Sequence, residues 1–193
     1  MTETIQLRFQ TAAEWAEAPL ADFDHFLIDH AAAEKKASGM AMSMALRYKD
    51  KAQLVKEMID LSIEELQHFR ACVEIIQSRG LQLLPDEKDD YVNHLRGLIR
   101  HGKEEGLLDR LVVGGIVEAR GCERFSLIEK ALPVGDMKTF YAAITASEEQ
   151  HQGLFVRLAE RYFPKQEVDD RLDWLLDKEA EIVSVLPHRA TLH

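Results

Sequence analysis

The tetrad Glu-x-x-His occurs twice in this chain, as Glu65-Leu66-Gln67-His68 and Glu148-Glu149-Gln150-His151, and a glutamate precedes each copy at nearly the same remove. Glu34 lies 31 residues before Glu65, and Glu118 lies 30 residues before Glu148. A break near residue 49 bisects the first interval and Pro133 the second. If each interval is helix, turn and helix, equal distances from the turn mean equal height in the antiparallel pair. Each glutamate then faces its partner tetrad.

Apolar periodicity and helix punctuation support that reading. Ten Gly and five Pro in 193 residues favour long helices over a turn-dense β-sandwich. One helix is predicted from about Asp22 to Tyr48, and a second, N-capped by Asp50, to about Arg79, where Gly80 and then Pro85 stop it. A short amphipathic piece follows from Asp86 to Arg100. Long helices then run from Glu104 to Ala131, closed by Pro133, and from Asp136 to Phe163, stopped by Pro164, with a tail helix from Val168 to about Val185. Four helices of about 25 to 30 residues are each about 40 Å long. Short breaks at 48–50 and 133–135 make two antiparallel hairpins, and about twenty residues between them allow one long crossover. The fold class expected is therefore all-α, a ferritin-like four-helix bundle with one long crossover plus short additional helices. It forms a single domain over 1–193, with a bundle core of about 22–163 and a C-terminal helix of about 168–185.

Other classes are disfavoured. No apolar run approaches the roughly 18 residues of a membrane span, and the start MTETIQLRFQTAAEW lacks a signal-peptide pattern, so a cytoplasmic location without membrane contact is expected. Two cysteines, Cys72 and Cys122, form no Cys-x-x-Cys knuckle, which leaves oxygen and nitrogen to hold any metal. A formal net charge of −10 argues against generic nucleic-acid binding.

At i, i+3 a carboxylate and an imidazole share one helix face and can reach one metal ion. Glu64 is i+4-spaced to His68, but the equivalent position in the other half is Ser147, and Glu123 lies only 25 residues before Glu148. The set common to both halves is Glu34, Glu65, His68, Glu118, Glu148 and His151. Four carboxylates inside a bundle each cost several kcal/mol unless compensated. Two divalent cations supply the four missing charges, and oxygen-rich ligation with one imidazole per metal suits iron or manganese.

With these residues in place, the chain resembles the ferritin-like superfamily and, more narrowly, the bacterial tRNA hydroxylase family MiaE. The stretches DHAAAEKKASGMAMSMALRY, IEELQHFRACVEIIQSRG, GGIVEARGCERF and SEEQHQGLF carry the match, which covers nearly the whole chain. Glu-Ala-Arg-Gly-Cys-Glu-Arg-Phe and Ala-Ala-Ala-Glu-Lys-Lys-Ala are its narrower signal. The resemblance implies an oxygen-dependent di-iron monooxygenase that hydroxylates the isopentenyl group of 2-methylthio-N6-isopentenyladenosine next to the anticodon of tRNA. It makes the six residues ligands of two iron ions, with Glu65 and Glu148 bridging. It implies dioxygen as co-substrate and an external electron donor, a separate reductase or electron-transfer protein, because the chain has no flavin or nicotinamide fingerprint and no cysteine cluster. Iron storage, a rubrerythrin-like peroxidase and a manganese catalase are the alternatives for such a ligand field.

Around the ligands, Gly114, Gly115, Ala119, Gly121 and Cys122 are candidates to open a pocket. Met40, Met42, Met44 and Phe125 are candidates to line an apolar channel, with ordinary core as the competing reading. Cys122 and Tyr141 are expected to be structural. His25, His30, His94, His101 and His188 have no mirrored partners and are expected to face solvent. For an anticodon stem–loop, basic residues gather near the crossover: Arg96, Arg100, Lys103 and Arg110 with His94 and His101. Lys35, Lys36, Arg47, Lys49 and Lys51 mark the first hairpin, and Arg120 and Arg124 follow Glu118. Arg96, Arg100, Lys103 and Arg120 are the candidate substrate residues.

Overall fold

The computed structural model describes residues 4–193; residues 1–3 of the expected domain lie outside the described residues. All regular elements among the described residues are helical. A 3-10 turn, Ala13–Ala16, leads into α1 (Glu17–Ala21), α2 (Phe23–Arg47), α3 (Ala52–Ser78), α4 (Asp90–Gly97), α5 (Lys103–Ala131), α6 (Asp136–Tyr162) and α7 (Lys165–Val185). The chain divides into two compact units. One holds residues 17–88 and 190–192, and the other holds residues 4–16, 89–189 and 193.

The first unit is the α2–α3 hairpin with α1. Asp22 caps α2, its side chain accepting from the His25 amide, and Gly80, with φ 75°, follows α3 in the left-handed conformation that glycine adopts without a Cβ penalty. Along the hairpin, Asp24 pairs with Arg79, His30 with Cys72, Glu34 with His68 and Ser38 with Ser62. Each step down α2 is matched by a step up α3, which is the register the two glutamate spacings require. Ser38 Oγ lies 2.9 Å from both the Ser62 carbonyl and its Oγ, so the helices approach closely where side chains are small. Phe26, Leu27, Ala31, Ala41, Leu54, Met58 and Ile76 are fully enclosed around it.

The second unit carries the same device between α5 and α6. Cys122 meets Thr145, Phe125 meets Tyr141, and Lys138 donates to the Glu129 carbonyl near the turn. Gly114 belongs to this packing. A Cβ there would stand 2.7 Å from the Phe155 ring, and one at Gly115 would stand 2.9 Å from Ile5. These two glycines are sites of close approach, and the pocket expected beside them is filled by Phe155 and Ile5.

Two buried acids fasten the remaining pieces of this unit. Glu179 on α7 accepts from Tyr91 Oη of α4 at 3.0 Å and from Arg120 Nε of α5 at 2.8 Å, all three side chains being enclosed. Arg120 also donates to Glu123, Thr11 Oγ1 and the Phe9 carbonyl, tying down the segment before the 3-10 turn. Asp109 accepts from the Arg100 amide and guanidinium and from Arg171, whose own guanidinium lies 4.4 Å over the Trp174 ring. Burial pushes the Asp109 carboxyl up, but hydrogen bonds from Arg100 and Arg171 outweigh it and hold the group below its usual range.

Several boundaries differ from the sequence reading. Asp50 does not cap α3: Lys51 occupies the N-cap position and no side-chain cap forms. The short crossover helix begins at Asp90, capped by Asp89, whose side chain accepts from the Val92 amide at 2.8 Å. The residues around Pro85 form no helix, in keeping with the way the residue before a proline avoids helical dihedrals. α7 begins at Lys165, directly after Pro164, since a proline that cannot continue one helix can precede the first turn of the next. α1 and the 3-10 turn were not foreseen, being too short to show periodicity.

Glu179→Ala should lower the unfolding free energy by about 3 kcal/mol or more, because it strips a buried guanidinium of a partner. Asp60→Ala, which breaks the exposed Lys56–Asp60 pair, should change it by less than about 1 kcal/mol. Urea titration of both variants checks the contrast.

Candidate metal centre

Within the first unit, α2 presents Glu34 and α3 presents Glu65 and His68 at one height. Glu34 and Glu65 are buried, and His68 Nδ1 stands 3.6 Å from Glu34 Oε2 and 3.5 Å from Glu65 Oε2. Within the second unit, α5 presents Glu118 and α6 presents Glu148 and His151, all buried, with His151 Nδ1 3.4 Å from Glu148 Oε2. In each triad one donor atom per residue lies within 4.8 Å of the others. Donor atoms bound at about 2.1 Å to one ion are separated by roughly 3 to 3.5 Å, so both triads have the spacing of ligands converging on a cation.

The competing acids take no part. Glu64 is exposed on the far side of α3. Glu123 is committed to the Thr11 amide at 2.9 Å, to its hydroxyl at 2.6 Å, and to Arg120.

His30, expected to face solvent, is fully buried. Its Nε2 lies 2.6 Å from Glu34 Oε1, and its Nδ1 lies 3.5 Å from Cys72 Sγ. The sequence signal that marks it is its place four residues before Glu34, on the same helix face. His94, His101 and His188 are exposed, as expected. His25 is partly covered, accepting or donating at Glu87 Oε1 and the Ala190 carbonyl.

Of the apolar candidates, Met44 and Phe125 are core residues whereas Met42 faces outward. Tyr141 is enclosed against Phe125 and Phe140. Gly121 is buried, yet a Cβ there would meet nothing nearer than Phe125 at 3.9 Å.

The candidate substrate residues separate clearly. Arg96 and Lys103 are exposed. Arg100 is partly exposed but bound to Asp109. Arg120 is fully buried in the Glu179 network and presents nothing to an external RNA, which corrects its assignment as a substrate residue. Arg124 is also buried, its guanidinium 5.0 Å over Trp15, and burial followed by repulsion from Arg120 pulls it down to about 10. Lys35 pairs with Asp86 and Lys36 reaches the Glu87 carbonyl. No helix among the described residues is long and apolar enough to cross a membrane.

The family model described as tRNA-(MS[2]IO[6]A)-hydroxylase (MiaE) matches residues 2–193. A tRNA 2-(methylsulfanyl)-N(6)-isopentenyladenosine(37) hydroxylase of Pseudomonas putida is 33% identical over 173 residues, covering 90% of this chain and 84% of that protein. The protein of the same name in Salmonella typhimurium is 29% identical over 131 residues, 68% of this chain and 48% of that one. Among solved structures, Protein 43 with aldehyde deformylating oxygenase activity from Synechococcus superposes with a TM-score of 0.91 at 33% identity, over 97% of this chain and 94% of that one.

The donor chemistry of the triads fits a hard or borderline divalent ion, and sulfur does not compete. Cys72 is enclosed beside His30. Cys122 is pushed up to about 12 by burial and by the carboxylates of Glu149, Glu148 and Glu118, so it stays a neutral thiol. In metal-free protein at pH 8, iodoacetamide should therefore alkylate Cys122 about a thousandfold more slowly than in the urea-unfolded chain, in line with its thiolate fraction. Peptide mass spectrometry at timed intervals measures the ratio.

Proposed function

Because this chain belongs to the MiaE family of tRNA hydroxylases and has the all-α ferritin-like fold, we propose that it hydroxylates the isopentenyl group of 2-methylthio-N6-isopentenyladenosine next to the anticodon. The observation that carries the reading is the pair of buried two-glutamate, one-histidine triads, repeated on two hairpins of a chain whose family acts on this nucleoside. The two units work as one domain over 1–193. Glu34, Glu65 and His68 would hold one iron, and Glu118, Glu148 and His151 would hold a second. Bound iron supplies the dioxygen activation that no side chain can perform.

The remaining tasks fall to the protein. The four carboxylates match the charge of two divalent ions, which leaves the protein at about −6 from its formal −10. Cys122, close to the second triad, stays a neutral thiol, and the Tyr141 ring packs against Phe125 and Phe140. His68 is the most exposed of the six ligands, so the alkyl group approaches the first triad on its side. The base leaves its stack to reach the centre, at small cost in a single-stranded loop. Exposed Arg96 and Lys103, with His94 and His101, form the contact for the stem–loop backbone. Electrons come from a separate reductase, and the reaction takes place in the cytoplasm.

Nucleoside mass spectrometry of tRNA tests the assignment. Cells deleted for this protein should lose the hydroxylated nucleoside, and wild-type protein but not a Glu65→Ala, Glu148→Ala variant should restore it. The purified double variant should hold fewer than the two irons expected per chain. Persistence of the nucleoside after deletion would remove the function. Turnover of an aldehyde would instead favour the activity named for the Synechococcus protein, and filling of a large shell with iron would favour storage.

The RNA contact has its own test. Arg96→Glu with Lys103→Glu should weaken anticodon stem–loop binding about tenfold or more at low salt, with the difference shrinking as salt rises. Unchanged affinity in a filter-binding titration would place the contact elsewhere.

A further inference from the structure

The two triads are matched in their ligands but not in what stands behind them. Four residues before Glu34, on the same face of α2, is His30. Four residues before Glu118 is Gly114, whose side-chain space is taken by the ring of Phe155. One half of the chain thus has an imidazole behind its first carboxylate, and the other has hydrocarbon there.

The geometry at His30 is specific. Nε2 lies 2.6 Å from Glu34 Oε1, which is the distance of a strong hydrogen bond to an ionised acceptor. Glu34 Oε2, the other oxygen, is the one that faces His68 Nδ1. On the far side of the ring, Cys72 Sγ lies 3.5 Å from Nδ1. A carboxylate only accepts, so Nε2 must carry the proton. The Nδ1 lone pair is then turned to the thiol, and the chain of donors runs from Cys72 S–H to His30 Nδ1, and from His30 Nε2–H to Glu34 Oε1. His30 is fully enclosed, as is Cys72, so water does not compete for either bond.

We infer that His30 is a positioning residue for the metal centre: by occupying Glu34 Oε1 it leaves Oε2 as the atom offered to the metal, and Cys72 holds the imidazole in the tautomer that does so. This rests on the proposed ligand set. The His30 imidazole stands behind Glu34, so its removal weakens the equivalent held by that triad and not both. Loss of a hydrogen-bond partner behind a ligand costs about 10- to 100-fold in affinity.

Titration of metal-free protein with Mn(II), read from the six-line EPR signal of the free ion, separates the possibilities. Wild-type protein should bind two equivalents. His30→Leu should bind one equivalent as wild type does and the other 10- to 100-fold more weakly, while His30→Gln, which retains an N–H donor near the Nε2 position, should recover most of the loss. Equal affinities for both ions in His30→Leu and wild type would overturn the inference, as would weakening of both equivalents together, or a Gln variant as impaired as Leu. If His30→Leu does not fold, as judged by circular dichroism, Cys72→Ala replaces it and should weaken the same equivalent a few-fold; no change would again overturn the inference. Failure of the wild-type protein to bind any Mn(II), Fe(II) or Co(II) would instead overturn the ligand set itself.

Discussion

A buried carboxylate must meet positive charge or hydrogen-bond donors where it sits, and six are buried among the described residues. Two of them, Asp109 and Glu179, are answered by arginine. Asp109 gathers Arg100 and Arg171, and Glu179 gathers Arg120 and the hydroxyl of Tyr91. The other four, Glu34, Glu65, Glu118 and Glu148, are grouped with imidazoles in two triads. An arginine pair is a closed arrangement whose worth lies in fixing which elements meet. A carboxylate–imidazole triad instead offers oxygen and nitrogen donors of the kind that suit a divalent cation. The same physical problem is solved in one way for architecture and in another for chemistry, on the same helix α5.

The register of the hairpins was legible because it follows from counting. Equal intervals from a turn put Glu34 beside His68 and Glu118 beside His151, and the exclusion of Glu64 and Glu123 by comparison of the two halves matches their exposure and their other bonds. What resisted reading was whatever depends on a neighbour distant in sequence. Arg120 follows a ligand and looks like a cation available to RNA, but its partners are Glu179 and Thr11, nearly 60 and more than 100 residues away. His30 has no mirrored copy, and that asymmetry is what gives it a distinct place. Asp50 and Asp89 are equally plausible caps from sequence. Only the actual start of each helix, two residues past one and directly after the other, distinguishes them.

Charge tells a related story. Read as a single number, −10 opposes an RNA partner. Distributed over the structure, the acids and bases are largely spoken for: Lys35 and Lys36 reach across to the 86–87 region, Arg8 binds Asp173 and Asp177, and Arg79 binds Asp24. Near the crossover, Arg96 and Lys103 are exposed.

Gly114 and Phe155 carry a last consequence. The ring fills the volume that a side chain on α5 would otherwise claim, so the two positions share one allotment of space. Neither residue is chosen independently of the other. A larger residue at the first position would oblige a smaller one at the second, and the pair records how near α5 and α6 come where a glutamate and a histidine meet.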